Sequence, residues 1–314
     1  MKAFIRSILL SPYFWCMCVV AACALYVRID NIDKRSISWD ERRTVEHVVR
    51  EGNYGWWFFK SNPQHVAYHL VNRLTWPLAE VFVDSPECSD ATMRMPNAFI
   101  GMFGVIALYF LGKRLCSRGT GLIAAALVCV SWWHTWHCQD ARYYPLMFLL
   151  SAIIGILTWR TLAGEWFRVV TSDTKRGRAI RIGVTAILWV VVLWFALRNH
   201  PMAFLGLACT GVGAAFWLYI EGMARYERGE KLRPLAGRAG LLLCVVCLGV
   251  ACVIPAYRTF FKETEKSLTE GVHTQGGHGG AAKQVVELDY ATFEEAIETF
   301  GPHYYVPSRV YWYA

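Results

Sequence analysis

The sequence predicts an all-α, polytopic membrane protein, a bundle of transmembrane helices with additional helices at the membrane surface. The chain of 314 residues is 55% hydrophobic, with a mean hydropathy of +0.29. A soluble domain is about 45–50% apolar, by a wider count that includes glycine. The apolar residues form blocks of about 16–20 residues, a length typical of membrane spans. Fourteen Trp and fifteen Tyr suit the aromatic belts at two membrane interfaces.

The first predicted span covers residues 8–27 and follows a short basic segment, residues 1–6. A cleaved signal peptide is the competing interpretation, because residues 20–23 resemble a lipoprotein cleavage box. More spans follow, so we favour a retained helix with its N-terminus inside the cell.

Segment 64–83 is apolar enough to suggest a span but carries His69, Asn72, Arg73 and Pro77 near its middle. A charged residue at mid-bilayer costs about 2.5–3.5 kcal/mol even on the lenient insertion scale. If this segment crossed, three later basic loops would lie outside, against the positive-inside rule. We therefore predict an interfacial helix here, within a first outer loop over residues 28–93.

Further spans are predicted at residues 96–112, 119–137, 143–159, 182–198, 201–220 and 239–256. With the first helix they make seven, with the C-terminus outside. We expect a transmembrane domain over residues 1–256. We expect residues 257–314 to form an extracytoplasmic tail that leads to further spans missing from this chain.

Two polar motifs lie where apolar segments meet water. The first motif is residues 38–43 and the second motif is residues 138–144. In the predicted topology both fall on the extracytoplasmic face. All nine histidines fall there too: His47, His65, His69, His134, His137, His200, His273, His278 and His303. This asymmetry favours an outward-facing site over a pore through the membrane.

Five short segments in series, over residues 10–220, resemble the GT-C integral-membrane glycosyltransferases. The segments look most like the branch with the protein O-mannosyltransferases and lipid A aminoarabinose transferases, and are similar to glycosyltransferase family 39. Asp40-Glu41-x-Arg43 is similar to the Asp-Glu motif of the first outer loop, and residues 139–144 are similar to the second outer motif. The other matching segments are residues 50–57, 62–69 and 94–97, and the His200 loop also has a counterpart. The chain departs from the pattern at Asp140, where glutamate is commoner, at Asn62, where some members have lysine, and in being shorter.

The resemblance implies a GT-C-type bundle that transfers a sugar, with inversion, from a polyprenyl-phosphate donor in the outer leaflet. The acceptor would be a protein, a lipid or a glycan. Such a reaction needs a carboxylate to take the acceptor proton and cations to hold the developing phosphate charge. Asp40 is the expected base, and Glu41 is expected to position Asp40 or the acceptor. The expected substrate-binding residues are Arg43 and Arg142 as a phosphate clamp, with Asp140, Tyr143, His69 and His200.

Each of these residues also has a plainer interpretation. An Asp-Glu pair in a loop is often solvated charge or a helix N-cap, and Asp140 with Arg142 can form a structural ion pair. His200 precedes a proline, which favours a tight turn. His134, His137 and Asp140 have the spacing of a divalent-metal site, but tryptophans interleave them. An aromatic-belt helix end is therefore the preferred interpretation, no cofactor is assigned with certainty, and a divalent metal stays an open alternative.

The eleven cysteines do not form a disulfide framework, because eight of them lie inside apolar runs. We expect Cys88 and Cys138 to face water on the outer side, where a bridge between them is conceivable. The net charge of +8 comes from basic loops between spans, so no nucleic-acid partner is expected.

Two other functions stay open. A transporter or flippase for a lipid-linked substrate is expected to have charged residues within its spans and an inverted repeat, and the sequence suggests neither feature. A non-catalytic membrane subunit is the other. The expected location is a bacterial inner membrane, with the site facing the periplasm and membrane lipid as a partner.

Overall fold

The computed structural model describes residues 11–34, 41, 67–72, 74–75, 90–165, 174–200 and 202–269. These residues are helical apart from short turns, and no strand occurs among them. The helices are α1 (Pro12–Ile29), α2 (Asp90–Leu115), α3 (Arg118–Cys129), α4 (Trp132–Cys138), α5 (Tyr144–Ala163), α6 (Lys175–Asn199), α7 (Ala203–Glu227) and α8 (Arg233–Thr269). The prediction of an all-α, polytopic membrane protein is confirmed.

Six helices of the described chain, α1, α2, α5, α6, α7 and α8, are long and apolar enough to cross a membrane. The expectation of one continuous span over residues 119–137 is wrong, because this segment is the two short helices α3 and α4. The break lies at Ser131, whose hydroxyl accepts a hydrogen bond from His134 N (3.4 Å) and caps α4. Serine side chains favour such N-caps over helix interiors.

The α3–α4 pair carries the chain back across the bundle. Helices α2 and α5 start side by side, since Asn97 Nδ2 donates to the carbonyl oxygen of Arg142 (2.7 Å). They also end side by side, where Arg114 pairs with Glu165. The chain must therefore return between them. At 1.5 Å per residue, α3 and α4 together supply about 28 Å of helix, close to the hydrocarbon thickness.

The two ends of the bundle differ in character. The motif face carries Glu41, the second motif and the C-terminus of α6. The basic face carries the turns from α2 to α3 and from α7 to α8, the end of α5 and the start of α6; these described segments include Arg114, Arg118, Arg160, Lys175 and Arg228. On that face Arg238 Nη1 donates to Leu162 O (3.1 Å), so α8 starts where α5 ends. The predicted grouping of three basic loops on one side matches this arrangement.

Close packing joins α2 to α3. A Cβ at Gly112 would lie 2.8 Å from Gly121 Cα, and a Cβ at Gly121 would lie 2.7 Å from Lys113 N. Only glycine permits this approach of two backbones, as is common between membrane helices. The main core lies between α5, α6 and α8, around Trp189 and Leu193.

Parts of the predicted first outer loop are described. Residues 67–72 and 74–75 are helical, within the predicted surface helix 64–83. Tyr68 is buried against the start of α2, with its hydroxyl 3.3 Å from Asn97 Nδ2, which places this helix at the motif face. The predicted domain boundary at residues 256–257 falls inside α8, which continues to Thr269.

Candidate functional site at the motif face

Glu41 links the two motifs. Its carboxylate receives Arg94 Nε on Oε1 (2.9 Å) and Arg94 Nη2 on Oε2 (3.0 Å), a bidentate pair between two fully buried side chains. The same Oε1 accepts Ala141 N of the second motif at 2.7 Å. The first motif therefore contacts the second directly, through a carboxylate whose charge is balanced by α2. Arg94 also donates through Nη1 to Ile32 O (2.9 Å), near the end of α1.

Two buried asparagines hold the backbone of the second motif. Asn97 Nδ2 on α2 donates to the carbonyl oxygens of Asp140 and Arg142, the latter at 2.7 Å. Asn199 is the last residue of α6, and its Nδ2 donates to Tyr143 O (3.2 Å). Buried carbonyl groups require donors, and these side chains add to the backbone donors Arg142 N on Asp140 O (2.8 Å) and Met147 N on Tyr143 O (3.0 Å).

The end of α1 is tied to the same segment. Gln139 Nε2 donates to Asp30 O (2.8 Å) and to Val27 O (3.4 Å). Helix α1 ends at Ile29, so its last free carbonyl groups are partly satisfied by this side chain. The second motif is thus bonded to α1, α2, α6 and Glu41.

Arg142, Tyr143 and His200 form a stack. The Tyr143 and His200 rings lie nearly parallel, 4.4 Å apart with an interplanar angle of 9°. The Arg142 guanidinium lies 5.6 Å from the Tyr143 ring centroid. Burial, and secondarily the Arg142 charge, lower the pKa of His200. The imidazole is therefore neutral at pH 7, and Arg142 supplies the positive charge of the stack.

His69 is half-buried on the short helix 67–72, beside Tyr68, whose pKa is raised by burial. Tyr68 is therefore a neutral hydrogen-bonding group at the motif face. The structure places Glu41, Asp140, Arg142, Tyr143 and His200 together there, with His69 on the neighbouring surface helix. Asp40 and Arg43 lie outside the described residues, and Asp40 precedes Glu41 in the chain.

A further polar cluster was not foreseen. Arg28, in the last turn of α1, is fully buried and donates through Nη1 to Ala24 O (2.7 Å). Its Nη2 lies 2.6 Å from His134 Nδ1. The guanidinium makes this ring an unfavourable place for a second cation, and the described residues contain no group of three or more His, Cys, Asp or Glu able to hold a metal ion.

The expectation that Cys138 faces water is wrong. Cys138 is fully buried in a space left by Gly101, where any side chain would overlap its sulfur. Cys88 lies outside the described residues.

Sequence reasoning missed Asn97 and Asn199 as partners of the site. It noted Arg94 and Asn97 only as part of a matching segment at the start of a span. Two signals were available. Asn97 lies one helical turn after Arg94 in a span, and Asn199 is a polar residue that ends an apolar helix.

Comparison of the chain with protein-family models, with curated proteins and with solved structures finds no match.

Proposed function

We propose that the chain is a membrane glycosyltransferase that moves a sugar from a polyprenyl-phosphate donor to an acceptor, at a site on the motif face. One observation carries the proposal: the Glu41 carboxylate binds both Arg94 and Ala141 N. This contact brings two motifs, a hundred residues apart, to one end of a membrane bundle. A lipid-linked donor requires a site at the end of the bundle, where the helices meet the membrane surface.

The charges at this end suit a phosphate leaving group. The Arg94 charge is balanced by Glu41, while Arg142 lies at the partly exposed edge of the second motif, against an aromatic ring. A guanidinium binds phosphate through two parallel hydrogen bonds. Arg142 is therefore the described residue best placed to hold the donor phosphate, together with Arg43.

The proposed step is a single displacement. Asp40 takes the proton from the acceptor hydroxyl, whose oxygen attacks the anomeric carbon from the face opposite the phosphate. The bond from that carbon to the phosphate oxygen breaks, and the phosphate leaves as an anion held by Arg142 and Arg43. The configuration at the anomeric carbon is inverted. Glu41, bound to Arg94 and to Ala141 N, is proposed to anchor the loop that carries Asp40.

The test is transfer by the intact protein in cell-envelope membranes, which contain native acceptors. The donors are undecaprenyl phosphate carrying radiolabelled mannose, glucose or aminoarabinose. The readout is label that leaves the extractable donor and enters the protein, lipid or polysaccharide fraction. Asp40→Asn should reduce transfer about 10²–10⁴-fold, the usual contribution of a general base.

The matched control is Asp33→Asn, an exposed carboxylate of the same loop, which should transfer at the wild-type rate. Wild-type transfer by Asp40→Asn would contradict the proposal. So would an equal loss in both variants, because the effect would then belong to the loop charge rather than to a base.

A further inference from the structure

Residues 139–143 of the second motif, between α4 and α5, have no regular secondary structure, yet their backbone is bonded at successive peptide groups. Arg142 N donates to Asp140 O (2.8 Å). The carbonyl oxygens of Asp140 and Arg142 both receive Asn97 Nδ2. The peptide groups on both sides of Arg142 are thereby fixed. The direction in which the Arg142 side chain leaves the backbone is fixed with them.

The orientation of the Asn97 amide follows from its surroundings. Its nitrogen faces two carbonyl oxygens, and the opposite assignment would place Oδ1 against both of them. Hydrogen-bond networks decide such amide assignments. Asn97 is fully buried and acts as a double donor. Loss of a donor to a buried carbonyl group is costly; Asp140 O would still accept Arg142 N, but Arg142 O would lose its bond from Asn97, so the segment would move to replace that bond.

The same helix face serves both motifs. Arg94 and Asn97 are three residues apart on α2, and such residues are neighbours on a helix surface. Arg94 binds the carboxylate of Glu41, and Asn97 binds the backbone of Asp140 and Arg142. The first turns of α2 therefore set the position of one motif relative to the other.

We infer that Asn97 is a positioning residue, which sets the Arg142 guanidinium where the donor phosphate binds. This inference rests on the proposed function. Asn97 touches neither the donor nor the acceptor; it acts through the backbone of Arg142. Asn199, which bonds Tyr143 O on the next residue, supports the same segment from α6.

The test compares two substitutions of similar shape, Asn97→Asp and Asn97→Leu, in the full chain. At neutral pH the new carboxylate would face two carbonyl oxygens, and leucine offers no donor. Both variants should bind undecaprenyl phosphate about fivefold to a hundredfold more weakly than the wild type. As the pH falls, the buried aspartate becomes protonated and gains one O–H donor. Asn97→Asp should then recover part of its affinity, whereas Asn97→Leu should not.

Neighbouring groups titrate too, so each variant is compared with the wild type at the same pH. Asn97 contacts the Tyr68 hydroxyl and the backbone of Asp140 and Arg142. Other charged groups bonded nearby are Glu41, which accepts Ala141 N, and its partner Arg94. Asn97→Ser, which keeps a single donor, gives an intermediate loss if Asn97→Asp fails to fold at neutral pH. Wild-type affinity in Asn97→Leu, or the same pH profile in Asn97→Asp and Asn97→Leu, would overturn the inference.

A second readout is independent of the donor. A spin label on Asp140→Cys, in a chain without other cysteines, should become more mobile with Asn97→Asp at neutral pH and be immobilised again in acid. An unchanged spectrum overturns the inference. If the acid-reversible change occurs but the wild type binds no undecaprenyl phosphate, the proposed function fails while the role of Asn97 in holding the segment stands.

Discussion

The buried pair of Glu41 and Arg94 allows a quantitative test of how the two motifs are joined. Both side chains are fully buried, and the carboxylate accepts hydrogen bonds of 2.9, 3.0 and 2.7 Å. Glu41→Leu removes the carboxylate that pairs with the Arg94 guanidinium. Arg94→Met removes the guanidinium that pairs with the Glu41 carboxylate. Each substitution should lower the free energy of unfolding by about 3–5 kcal/mol.

The double variant should lose less free energy of unfolding than the sum of the losses in the two single variants. With both charges removed, two backbone groups lose a partner: Ala141 N and Ile32 O. Each loss costs about 1–3 kcal/mol. We therefore expect a total cost of about 2–6 kcal/mol, whereas independent effects would give about 6–10 kcal/mol.

The measurement is reversible unfolding by SDS in mixed micelles, followed by tryptophan fluorescence. The matched control is the exposed pair of Arg114 and Glu165 on the basic face, 37% and 43% exposed. Neutralising either member should change stability by less than about 1 kcal/mol. The reasoning is refuted if Glu41→Leu costs as little as the control, or if the two buried substitutions add independently.

Three further predictions follow from the same contacts. Burial and the Arg142 charge lower the pKa of His200, so as the pH falls the His200 side chain of the unfolded chain is protonated before that of the folded chain. The contribution of neutral His200 to the free energy of unfolding should therefore be complete above about pH 6.5 and be lost as the pH falls through the lowered pKa of the folded state. His200→Phe, which keeps the ring, should remove that part of the acid loss in an unfolding-versus-pH series, and an unaltered acid limb would argue against the assignment. Gly121→Ala forces a Cβ to within 2.7 Å of Lys113 N and should lower the free energy of unfolding by about 1–3 kcal/mol, measured by thermal unfolding. The control Gly211→Ala, where a Cβ would have nothing within 4 Å, should be neutral or stabilising. Equal effects of the two substitutions would contradict the close packing of α2 and α3. Arg142→Lys should weaken undecaprenyl phosphate binding about tenfold, since an ammonium cannot form the bidentate bond, and unchanged affinity in equilibrium binding would exclude Arg142 from the phosphate clamp.

Hydropathy predicted the fold well where apolar residues run unbroken. The helices α1, α2, α5, α6, α7 and α8 all overlap predicted spans, because burial in lipid requires long apolar segments with internally bonded backbones. Helix ends were predicted less well. Helix α6 begins at Lys175 rather than near residue 182, since the Thr174 hydroxyl accepts Gly177 N (3.1 Å) and caps a basic first turn. A charged turn that leaves the membrane stays helical without being apolar.

The break at Ser131 was not predictable from hydropathy. Residues 119–137 are mostly apolar and contain no proline, aspartate, glutamate, lysine or arginine, so the segment has the composition of a single span. The break depends on a local hydrogen bond from His134 N to the serine hydroxyl and on tertiary contacts such as that of Arg28 with His134. Composition carries no information about such contacts.

The site was predicted in part. Sequence analysis put Glu41 and the second motif on one face, and the structure places them in contact. The partners of the site, Arg94, Asn97 and Asn199, were missed because each is a single polar residue at the end of an apolar helix. Their importance comes from the backbone groups that they meet in three dimensions. The chemical roles assigned to all eight site residues stay predictions: Asp40, Glu41, Arg43, His69, Asp140, Arg142, Tyr143 and His200.

The account depends most directly on both motifs lying on the extracytoplasmic face, opposite the basic loops. Single cysteines at Asp40, Asp140 and Arg176, each in a chain whose eleven native cysteines are replaced, can be labelled in intact cells with a membrane-impermeant maleimide. The account predicts labelling at positions 40 and 140, and labelling at position 176 only after the cells are permeabilised. Labelling at position 176 in intact cells, with positions 40 and 140 protected, would contradict it. So would labelling at only one of the two motif positions.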